Sequence, residues 1–448
     1  MALRIFFRRV EIAGAERVSA SGPVIFVLNH PNGLVDPAFM LCLAPRPVSF
    51  LAKSPLFRMP IVGYFVRALN SIPVYRRQDA GEDPARNRET FARCRDLLSG
   101  GGSLAICPEG VSHNDASLRP LKTGTARIAL GAVAASVDNF NLKIVPVGLY
   151  YTSKTKFRSS ALVYYGEPIC VPRVALDANA EPPPGDVREL SSRIETALRE
   201  VVLNAEHDKA LSTVARAERI FSSLGETSST GSSGGGDDDD RNLERELKLR
   251  RRFVEGYEFL RARAPHRLEV LDTRIARYEA ELEGLRLEEQ DMAAPAYSRL
   301  SLARYFSTHT LPSALIAPLA LAGLILHYPA YKLTGTLATR LAKKDDDVVS
   351  TFKIAAAMLF FPLTWLLVAT IVSWLYAWPT AVAVFLLMPL LGYTAILFFE
   401  EFDRFIGGAR ALAFFFTRRW FFLQLLAERR AIRDEIVALG SELLGSGR

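Results

Sequence analysis

Two long apolar stretches late in the chain limit its fold more than any other feature of the sequence. Residues 354–377 and 379–399 contain no charged side chain. At a rise of about 1.5 Å per residue, a helix of either length crosses the roughly 30 Å hydrocarbon core of a bilayer. Trp374, Tyr376 and Trp378 cluster at the connection, as in the aromatic belt of a lipid–water boundary. The sequence therefore predicts an integral membrane protein with a transmembrane helical hairpin.

A third apolar run, residues 311–328, precedes this pair and is shorter and interrupted by Pro312 and Pro318. Basic residues flank the run on both sides, which by the positive-inside rule predicts that both of its ends face the cytoplasm. We expect this run to re-enter the membrane or to lie in its interface, within a membrane region at 301–408. Aromatic residues and arginines are mixed in the stretch that follows, so residues 409–448 are predicted to form amphipathic helices on the headgroup layer.

The first half of the chain has the pattern of an α/β domain, for which we predict the bounds 1–222. Short runs rich in β-branched residues alternate with stretches of helical periodicity. The predicted strands are residues 24–28, 48–52, 103–107 and 143–150, and the predicted helices are 84–99, 121–136 and 185–204. This alternation favours a largely buried sheet with helices packed on it.

The first residues, MALRIFFRRVEIAG, include a short apolar patch beside Arg8 and Arg9. They lack the sustained apolar core and the small-residue cleavage site of a signal peptide. Two interpretations stay open. Either Phe6 and Phe7 insert into a lipid interface, or the segment is the first helix or strand of the α/β domain.

Two segments separate the α/β domain from the membrane region. Residues 223–241 combine small polar residues, glycines and an aspartate run, a composition that cannot bury enough apolar surface to order itself, so we predict a disordered linker. Residues 242–300 are rich in Arg, Glu and Leu at helical spacing and are broken by Pro265, which predicts a helical arm. The arm is either a surface for a protein partner of unknown identity or a connection that packs on the α/β domain.

The net charge of +7 at pH 7 favours an anionic partner, either nucleic acid, an acidic lipid surface or a phosphorylated small molecule. The sequence has no paired zinc ligands and no aromatic RNA-binding signature, so its apolar spans favour membrane lipids over nucleic acid. The four cysteines, Cys42, Cys94, Cys107 and Cys170, have no metal-ligand spacing and are too few for a disulfide framework. We expect reduced thiols in a domain on the cytoplasmic face.

Reactive residue types follow the predicted strand 24–28. The segment NHPNGLVDP places His30 and Asp36 where a strand of an α/β fold ends. A histidine titrates near neutral pH and can act as a base, and a carboxylate can hold its tautomer and stabilise the imidazolium. Taken alone the pair is weak evidence, because a histidine is more often an ordinary surface or core residue.

Three further blocks follow in order along the domain. The segment SIPVYRR places Arg76 and Arg77 after an apolar turn, where guanidinium groups can grip a phosphate. The segment CPEGVS supplies Glu109 and Gly110 at a sharp turn after another strand. The segment IVPVG, at 144–148, is an apolar strand interrupted by proline.

These four blocks, in this order, resemble the glycerolipid acyltransferase family, which includes glycerol-3-phosphate and lysophosphatidate acyltransferases. The resemblance covers residues 20 to about 170. In the family, four residues usually separate the histidine from the aspartate, whereas five separate His30 from Asp36. The segment LRPLKTG, which contains Lys122, resembles the family's basic stretch after the third block. The apolar hairpin preceded by STFK is similar to fungal and bacterial glycerol-3-phosphate acyltransferases.

The resemblance implies a fold and a reaction. The fold is an α/β sheet flanked by helices, followed by the helical arm and the C-terminal transmembrane hairpin. The reaction transfers a fatty acyl group from acyl-CoA or acyl carrier protein to a hydroxyl of glycerol 3-phosphate or lysophosphatidate in phospholipid synthesis. It requires no metal and no cofactor beyond the acyl donor.

The resemblance also implies roles for the site residues. His30 would be the base and Asp36 would orient it. Acceptor phosphate would be held by three basic side chains, and the acceptor site would be shaped by a turn whose backbone amides are candidates for the oxyanion site. The three basic side chains are those of Arg76, Arg77 and Lys122, and the turn contains Glu109 and Gly110. Two alternatives stay open, a lysophospholipid-remodelling acyltransferase and a non-catalytic membrane scaffold.

Overall fold

The structure of the chain is a computed structural model with two compact units. It describes residues 2–76, 79, 81–136, 140–178, 181–205, 208–225, 243–285, 287, 299–342 and 346–445. The first unit, called the sheet unit, comprises Met1–Asn204, Arg241–Leu247 and Leu341–Ile354. The second, called the helical unit, comprises Ala205–Asp240, Lys248–Arg340 and Ala355–Arg448.

Eight strands of the sheet unit form one mixed sheet. They are β1 (Phe7–Ala13), β2 (Val24–Leu28), β3 (Ser49–Lys53), β4 (Ile72–Val74), β5 (Ser103–Ile106), β6 (Lys143–Tyr151), β7 (Ser159–Tyr165) and β8 (Ile169–Cys170). Their order is β1-β7-β6-β2-β5-β3-β4, with β8 also paired to β6. Strand β6 is antiparallel to β7 and β8, and the other neighbours are parallel. The carboxyl ends of β2, β5, β3 and β4 therefore lie at one edge.

Fourteen α-helices accompany the sheet in the described residues. The first seven are α1 (Ala2–Phe6), α2 (Val35–Leu43), α3 (Ser54–Arg58), α4 (Pro60–Ala68), α5 (Asn87–Ser99), α6 (Gly124–Ala134) and α7 (Pro184–Val201). The others are α8 (Asp208–Gly225), α9 (Leu243–Arg263), α10 (Pro265–Gly284), α11 (Arg299–Ala342), α12 (Asp346–Leu375), α13 (Trp378–Thr417) and α14 (Arg419–Gly445).

The sheet is buried on both faces, as a continuous apolar strand such as β2 requires. Successive side chains of a strand point to opposite faces. Ile25 and Val27 of β2 pack in the core that includes residues of α5, α6 and α7. Phe26 and Leu28 pack in a second core, which includes Phe39 of α2. This arrangement confirms the predicted α/β class.

The four predicted strands correspond to β2, β3, β5 and β6, with ends that differ by at most one residue. The three predicted helices correspond to α5, α6 and α7. No pattern predicted β4, β7 or β8, and β1 falls in the first segment, for which a helix or strand was one of two open interpretations. Strands β4 and β8 are only three and two residues long. Strand β1 contains Arg8, Arg9 and Glu11, so it has no continuous apolar run.

The two phenylalanines near the start of the chain belong to the core of the sheet unit. Phe6 and Phe7 are 5% and 0% exposed. The ring of Phe6 contacts Phe157, and the ring of Phe7 contacts Phe39 and Tyr151. The interpretation of this segment as a lipid anchor is therefore wrong, and the alternative, a helix or strand of the domain, is correct.

Two short segments from later in the chain complete the sheet unit. At the start of α9, Leu243 and Leu247 pack with Leu162 of β7. At the start of α12, Ser350 is fully buried and donates a hydrogen bond to the backbone carbonyl of Lys154. Both segments lie beyond the predicted bounds of the domain, 1–222.

The start of α12 makes two further contacts with backbone groups of the sheet unit. Lys353 Nζ donates to the carbonyl oxygen of Thr155 at 2.7 Å. The backbone N–H of Leu34 donates to Thr351 Oγ1 at 3.2 Å. Leu34 lies in the NHPNGLVDP segment, so the first turns of α12 hold the loop between the predicted catalytic residues.

The predicted boundary at residue 222 falls inside α8, which belongs to the helical unit. The linker predicted at 223–241 lies almost entirely outside the described residues. In the predicted arm, 242–300, α9 and α10 are separated at Ala264, and Pro265 is the first residue of α10, as the proline break indicated.

Within the described ranges, three helices are long and apolar enough to cross a membrane. The candidate spans are Leu315–Ala342, Val348–Leu375 and Trp378–Phe402. The last two contain the predicted hairpin, and only Tyr376 and Ala377 separate α12 from α13. Both the length and the composition of these helices fit membrane association.

The third apolar run, residues 311–328, lies within the continuous helix α11. A re-entrant segment needs a reversal of the chain, and α11 has none between its ends. Residues 315–328 of the run belong to the candidate span Leu315–Ala342, and the alternative that the run lies in the membrane interface stays a prediction. The predicted amphipathic region, 409–448, falls on the end of α13 and on α14.

The candidate spans contact one another through a glycine and a histidine within the helical unit. A Cβ on Gly323 of α11 would lie 2.0 Å from the carbonyl oxygen of Leu391, so α11 and α13 approach closely there. His327 Nδ1 donates to the carbonyl oxygen of Gly323 at 2.7 Å, and Trp365 Nε1 donates to His327 Nε2 at 2.9 Å. Both ring nitrogens are satisfied, which suits a histidine that joins apolar helices.

Candidate active site

The carboxyl edge of the parallel strands collects most of the residues that the motifs singled out. In the order β2, β5, β3 and β4, the residues that end or follow the strands are His30, Glu109, Lys53 and Arg76. Neighbouring strands are about 4.8 Å apart, so the edge extends roughly 14 Å from β2 to β4. We call His30 and Asp36 the base end of this edge, and Lys53, Arg76 and Lys122 the cation end.

The two residues of the base end are in direct contact. His30 Nδ1 lies 2.9 Å from Asp36 Oδ2, and the backbone N–H of Asn32 donates to the same oxygen at 2.7 Å. The Asp36 side chain is 0% exposed and that of His30 is 19% exposed. Because Nδ1–H donates to the carboxylate, the neutral ring has its lone pair on Nε2. None of the described residues hydrogen-bonds to that nitrogen.

The extra residue between His30 and Asp36 is accommodated in a tight turn before α2. Gly33 adopts a φ of +35°, in the left-handed region that favours glycine. The backbone N–H groups of Val35 and Asp36 then donate to the carbonyl oxygen of Asn32 at 2.9 and 3.2 Å. Asp36 thus sits in the first turn of α2 and still reaches the imidazole, so the longer spacing preserves the contact.

Asn29 fixes the end of β2 against β6. Its Nδ2 donates to the carbonyl oxygen of Leu149 at 3.1 Å, and its Oδ1 accepts from the N–H of Leu149 at 2.8 Å. These two bonds take the place of backbone hydrogen bonds between β2 and β6 at the point where β2 ends. His30, the next residue, therefore starts from a fixed backbone position.

Two groups outside the predicted set surround Asp36. The hydroxyl of Tyr151 donates to Asp36 Oδ1 at 2.6 Å. Burial, and then the nearby carboxylate, raise the pKa of Tyr151 well above its usual value, so it stays a donor. Burial also raises the pKa of Cys107 well above its usual value, and the charges of Asp36 and Glu109 add to this effect. Cys107 is thus a neutral thiol near neutral pH.

Glu109 forms a second carboxylate–imidazole pair beside the first. His113 Nε2 contacts Glu109 Oε2, and the backbone N–H of Arg119 donates to the same oxygen at 2.9 Å. The N–H of His113 also donates to the carbonyl oxygen of His30 at 3.2 Å, which joins the two pairs. Glu109 Oε1 is buried with no hydrogen-bond partner among the described residues. This oxygen is therefore an unsatisfied buried acceptor.

Gly110 is required by the geometry of its turn. Its φ is +77°, and a Cβ there would lie 2.5 Å from Lys122 Nζ. The Gly110 N–H donates to the carbonyl oxygen of Cys107 at 3.0 Å. Since this turn already uses the Gly110 amide, it is not free to stabilise an oxyanion. Lys122 is placed against the turn because its N–H donates to the carbonyl oxygen of Pro108 at 2.9 Å.

Arg76 reaches the same turn from β4. Its Nη1 donates to the carbonyl oxygen of Gly110 at 2.8 Å, and its Nε and Nη2 donate to the two carboxylate oxygens of Asp79 at 2.8 and 2.7 Å. The bond from Arg76 holds the pKa of Asp79 below its usual value, helped by the charges of Lys53 and Lys122. These bonds use three of the five N–H groups of the guanidinium, and the other two have no partner among the described residues.

Arg77, the second predicted phosphate ligand, lies outside the described residues. The structure brings the other predicted residues to one edge through direct contacts. His30 touches His113, His113 touches Glu109, and Arg76 touches Gly110.

Sequence reasoning missed three polar partners at this edge. Asp79 stands three residues after Arg76, a spacing of opposite charges that could have indicated their pairing. His113 stands four residues after Glu109 and pairs with it, and its side chain is only 9% exposed. Tyr151 is 115 residues from Asp36, and only the sheet topology brings the two together.

Two family models match the chain. The model described as acyltransferase matches residues 9–150. The model described as the glycerol-3-phosphate acyltransferase 2 C-terminal domain matches residues 237–443. The first covers the predicted motifs and most of the sheet, and the second covers the predicted arm and the candidate spans.

Relatives from other organisms are similar to the chain. Glycerol-3-phosphate O-acyltransferase 2 of Saccharomyces cerevisiae is 28% identical over 62% of this chain and 37% of the relative. Glycerol-3-phosphate O-acyltransferase 1 of the same yeast is 24% identical over 82% of this chain and 59% of the relative. The chloroplastic 1-acyl-sn-glycerol-3-phosphate acyltransferase LPAT1 of Arabidopsis thaliana is 29% identical over 33% of this chain and 38% of the relative. The chain therefore spans only part of the length of each.

Among solved structures, the 1-acyl-sn-glycerophosphate acyltransferase PlsC of Thermotoga maritima is 17% identical to this chain. The match covers 45% of this chain and 73% of that chain, with a TM-score of 0.33. One family model thus matches most of the sheet and another matches the arm and the candidate spans, so over both regions the chain is similar to glycerolipid acyltransferases.

Proposed function

We propose that this chain is a membrane-bound acyltransferase that moves a fatty acyl group from acyl-CoA or acyl carrier protein to a hydroxyl of glycerol 3-phosphate. The observation that carries the proposal is the 2.9 Å contact between His30 Nδ1 and the buried Asp36, which leaves Nε2 as a base. The acceptor is suggested by the two yeast relatives, whose names specify glycerol 3-phosphate and which match 62% and 82% of this chain.

In the proposed reaction, His30 Nε2 takes the proton of the acceptor hydroxyl as its oxygen attacks the thioester carbonyl carbon. Asp36 keeps the ring in the required tautomer and stabilises the imidazolium that forms. The tetrahedral intermediate collapses, the carbon–sulfur bond breaks, and the imidazolium returns the proton to the thiolate. The products are an acylated acceptor and a free thiol, with no covalent enzyme intermediate.

The cation end holds the acceptor phosphate in this proposal. Arg76 offers two N–H groups beyond those that bind Asp79 and Gly110, and Lys53 and Lys122 add exposed positive charges beside it. A planar guanidinium suits phosphate oxygens, and fixing the phosphate fixes the hydroxyl relative to the base. Lys53 thus joins the predicted ligands.

Glu109 is proposed to orient the acceptor. Its buried Oε1 lacks a partner among the described residues, and an unsatisfied buried carboxylate oxygen costs free energy. A hydroxyl of glycerol 3-phosphate would supply the missing donor. His113 and the N–H of Arg119 hold the other oxygen, so the carboxylate would bind without rotating.

A second candidate acceptor is lysophosphatidate. The Arabidopsis relative, whose name specifies this acceptor, matches 33% of this chain, a share that is smaller than for either yeast relative. Remodelling of other lysophospholipids and a non-catalytic scaffold are the further alternatives. The His30–Asp36 contact counts against a scaffold, since recruitment of a partner does not need an oriented base.

The function is tested with purified, detergent-solubilised protein and one acyl-CoA, offered glycerol 3-phosphate, dihydroxyacetone phosphate, lysophosphatidate or a lysophospholipid without a free phosphate. We expect the highest kcat/KM with glycerol 3-phosphate. His30→Ala should lose turnover, and His266→Ala, at an exposed position of α10, should keep it. Retained turnover in His30→Ala, or thiol release that does not depend on acceptor, would reject the proposed mechanism.

The sheet unit is proposed to face the cytoplasm, in keeping with the basic residues around the spans. The exposed thiols of Cys42 and Cys170 report its side of the membrane. A membrane-impermeant maleimide should label them only after the cell is permeabilised. Labelling of these two cysteines in intact cells would place the catalytic edge on the opposite side.

A further inference from the structure

Tyr151 reaches the base end although no motif of the sequence includes it. It is the last residue of β6, a strand that runs parallel to β2 and pairs Val147 with Leu28. Because β6 continues for four residues beyond that pair, it passes the end of β2 and carries Tyr151 to Asp36. The hydroxyl then donates to Asp36 Oδ1 at 2.6 Å.

The Tyr151 bond completes the set of donors around the carboxylate. Asp36 Oδ2 accepts from the N–H of Asn32 and from His30 Nδ1, and Oδ1 accepts from Tyr151. Bonds to both oxygens fix the plane of the carboxylate. Without the hydroxyl, Oδ1 would be buried without its donor, and the carboxylate could rotate about its Cβ–Cγ bond.

The Tyr151 ring is itself held in place by packing. It contacts the rings of Phe7 and Phe39, which are both 0% exposed. Tyr151 is itself only 8% exposed. The rigid ring sets the position of the hydroxyl, so the bond to Asp36 is preorganised before any substrate arrives.

The charged and titratable groups around Asp36 come from three elements. His30 precedes it in the same loop, Tyr151 ends β6, and Cys107 follows β5, with Glu109 beyond it. Burial raises the pKa values of Tyr151 and Cys107, so both stay neutral near neutral pH.

We propose that Tyr151 is a positioning residue for acyl transfer, which acts by holding the Asp36 carboxylate in the orientation that directs Oδ2 at His30. The inference rests on the proposed function, because it needs His30 to be the base. Tyr151 touches no reacting atom in this mechanism. Its loss should therefore affect the chemical step and leave substrate binding intact.

The test compares Tyr151→Phe with Tyr150→Phe in the full-length detergent-solubilised enzyme. Tyr150 is the neighbouring residue of β6, but its hydroxyl donates to Glu246 at 2.8 Å, away from Asp36. Each variant removes one buried or half-buried hydroxyl. We expect Tyr151→Phe to lower kcat roughly tenfold to a hundredfold, the usual effect of losing a hydrogen bond to a charged group, with both KM values unchanged. Tyr150→Phe should keep the wild-type kcat.

The pH profile separates positioning from a general loss of folded protein. A donor to the anionic carboxylate opposes proton uptake by the His30–Asp36 pair, so removing it should move the acid limb of kcat/KM to higher pH. Loss of folded enzyme would lower the whole profile without moving the limb. Replacing Tyr151 by a fluorinated tyrosine, a stronger donor, should move the limb the opposite way.

Each outcome decides between the two proposals. If the wild type and Tyr150→Phe transfer acyl groups and Tyr151→Phe shows the same kcat and acid limb, the positioning role is wrong and the proposed function stands. A lower kcat with an unmoved acid limb in both Tyr151 variants also overturns the positioning role. If the wild type itself transfers no acyl group to any acceptor, the proposed function fails first.

Discussion

The base end and the cation end lie on one sheet edge but hold their side chains in different ways. At the base end, Asp36 is fully buried and accepts hydrogen bonds from three donors, so the imidazole is oriented before substrate binds. At the cation end, the Arg76 side chain is 18% exposed and shares its guanidinium with Asp79, and Lys53 and Lys122 are exposed.

This difference fits the task that we propose for each end. A base must present one nitrogen at one angle to a single proton, and rigidity there lowers the barrier. A phosphate is a large anion with several equivalent oxygens, so the exposed side chains of Lys53 and Lys122 can adjust to it. Asp79 fixes the plane of the Arg76 guanidinium, and its carboxylate balances the positive charge of that guanidinium when no other anion is bound.

The largest effect on activity is expected when the base end loses its charge and keeps its shape. Asp36→Asn keeps the size of the side chain but removes the charge that stabilises the imidazolium. We expect kcat to fall roughly ten-thousandfold, as when the carboxylate of a catalytic triad is neutralised, with the acceptor KM little changed. Steady-state kinetics with saturating acyl-CoA measures both values.

A suitable control for Asp36→Asn is Asp177→Asn, in a loop of the same unit that is remote in sequence from the motifs. It should keep the wild-type kcat. A loss that appears mainly in the acceptor KM of Asp36→Asn would show that the two ends are not functionally separate.

At the cation end, Arg76→Lys keeps the positive charge and removes the planar guanidinium, whose N–H groups point in fixed directions. A lysine cannot make two parallel bonds to Asp79 and also reach Gly110, so the charge would no longer be fixed in place. We expect the acceptor KM to rise about tenfold, with a smaller change in kcat and in the acyl-CoA KM.

The matched control is Arg199→Lys, at an exposed position of α7 where the arginine pairs with Glu195. It should leave both KM values unchanged. If Arg76→Lys raised only the acyl-CoA KM, Arg76 would belong to the donor site, and the assignment of the cation end would be wrong.

The smallest effect concerns the reactivity of the cysteine thiols, which reports how strongly each part of the sheet unit is shielded from water. Burial raises the pKa of Cys94 to about 12 and that of Cys107 well above its usual value. Because the thiolate is the reactive form, iodoacetamide at pH 8 should modify the exposed Cys42 and Cys170 first. Mass spectrometry of peptides from the briefly labelled enzyme measures the order in which the cysteines are modified. Early modification of Cys107 would contradict the burial of its thiol beside the base end.

The base end was largely predictable because its residues are close in the sequence and follow a strongly apolar strand. His30 and Asp36 needed only the end of β2 to be located. Tyr151 was not predictable, because its position depends on β6 lying beside β2, and no local pattern specifies which strands pair.

The cation end was predicted only in part, for a different reason. The motif indicated Arg76, but the pairing of Arg76 with Asp79 and the approach of Lys53 depend on how β3 and β4 lie beside each other. Strand β4 is three residues long, too short for a hydrophobic period to reveal it. The strongly apolar central strands were predicted well, because burial on both faces leaves a continuous apolar run.

The contacts of α12 with the sheet unit have a consequence for how the protein is made. Synthesis has passed Leu34 by more than 300 residues when Thr351, its partner, is added to the chain. A nascent chain therefore lacks this bond to its NHPNGLVDP loop until the ribosome has begun to translate the first strongly apolar helix of the predicted hairpin. The last contact of a loop near the start of the chain is thus supplied by one of the last helices to be made.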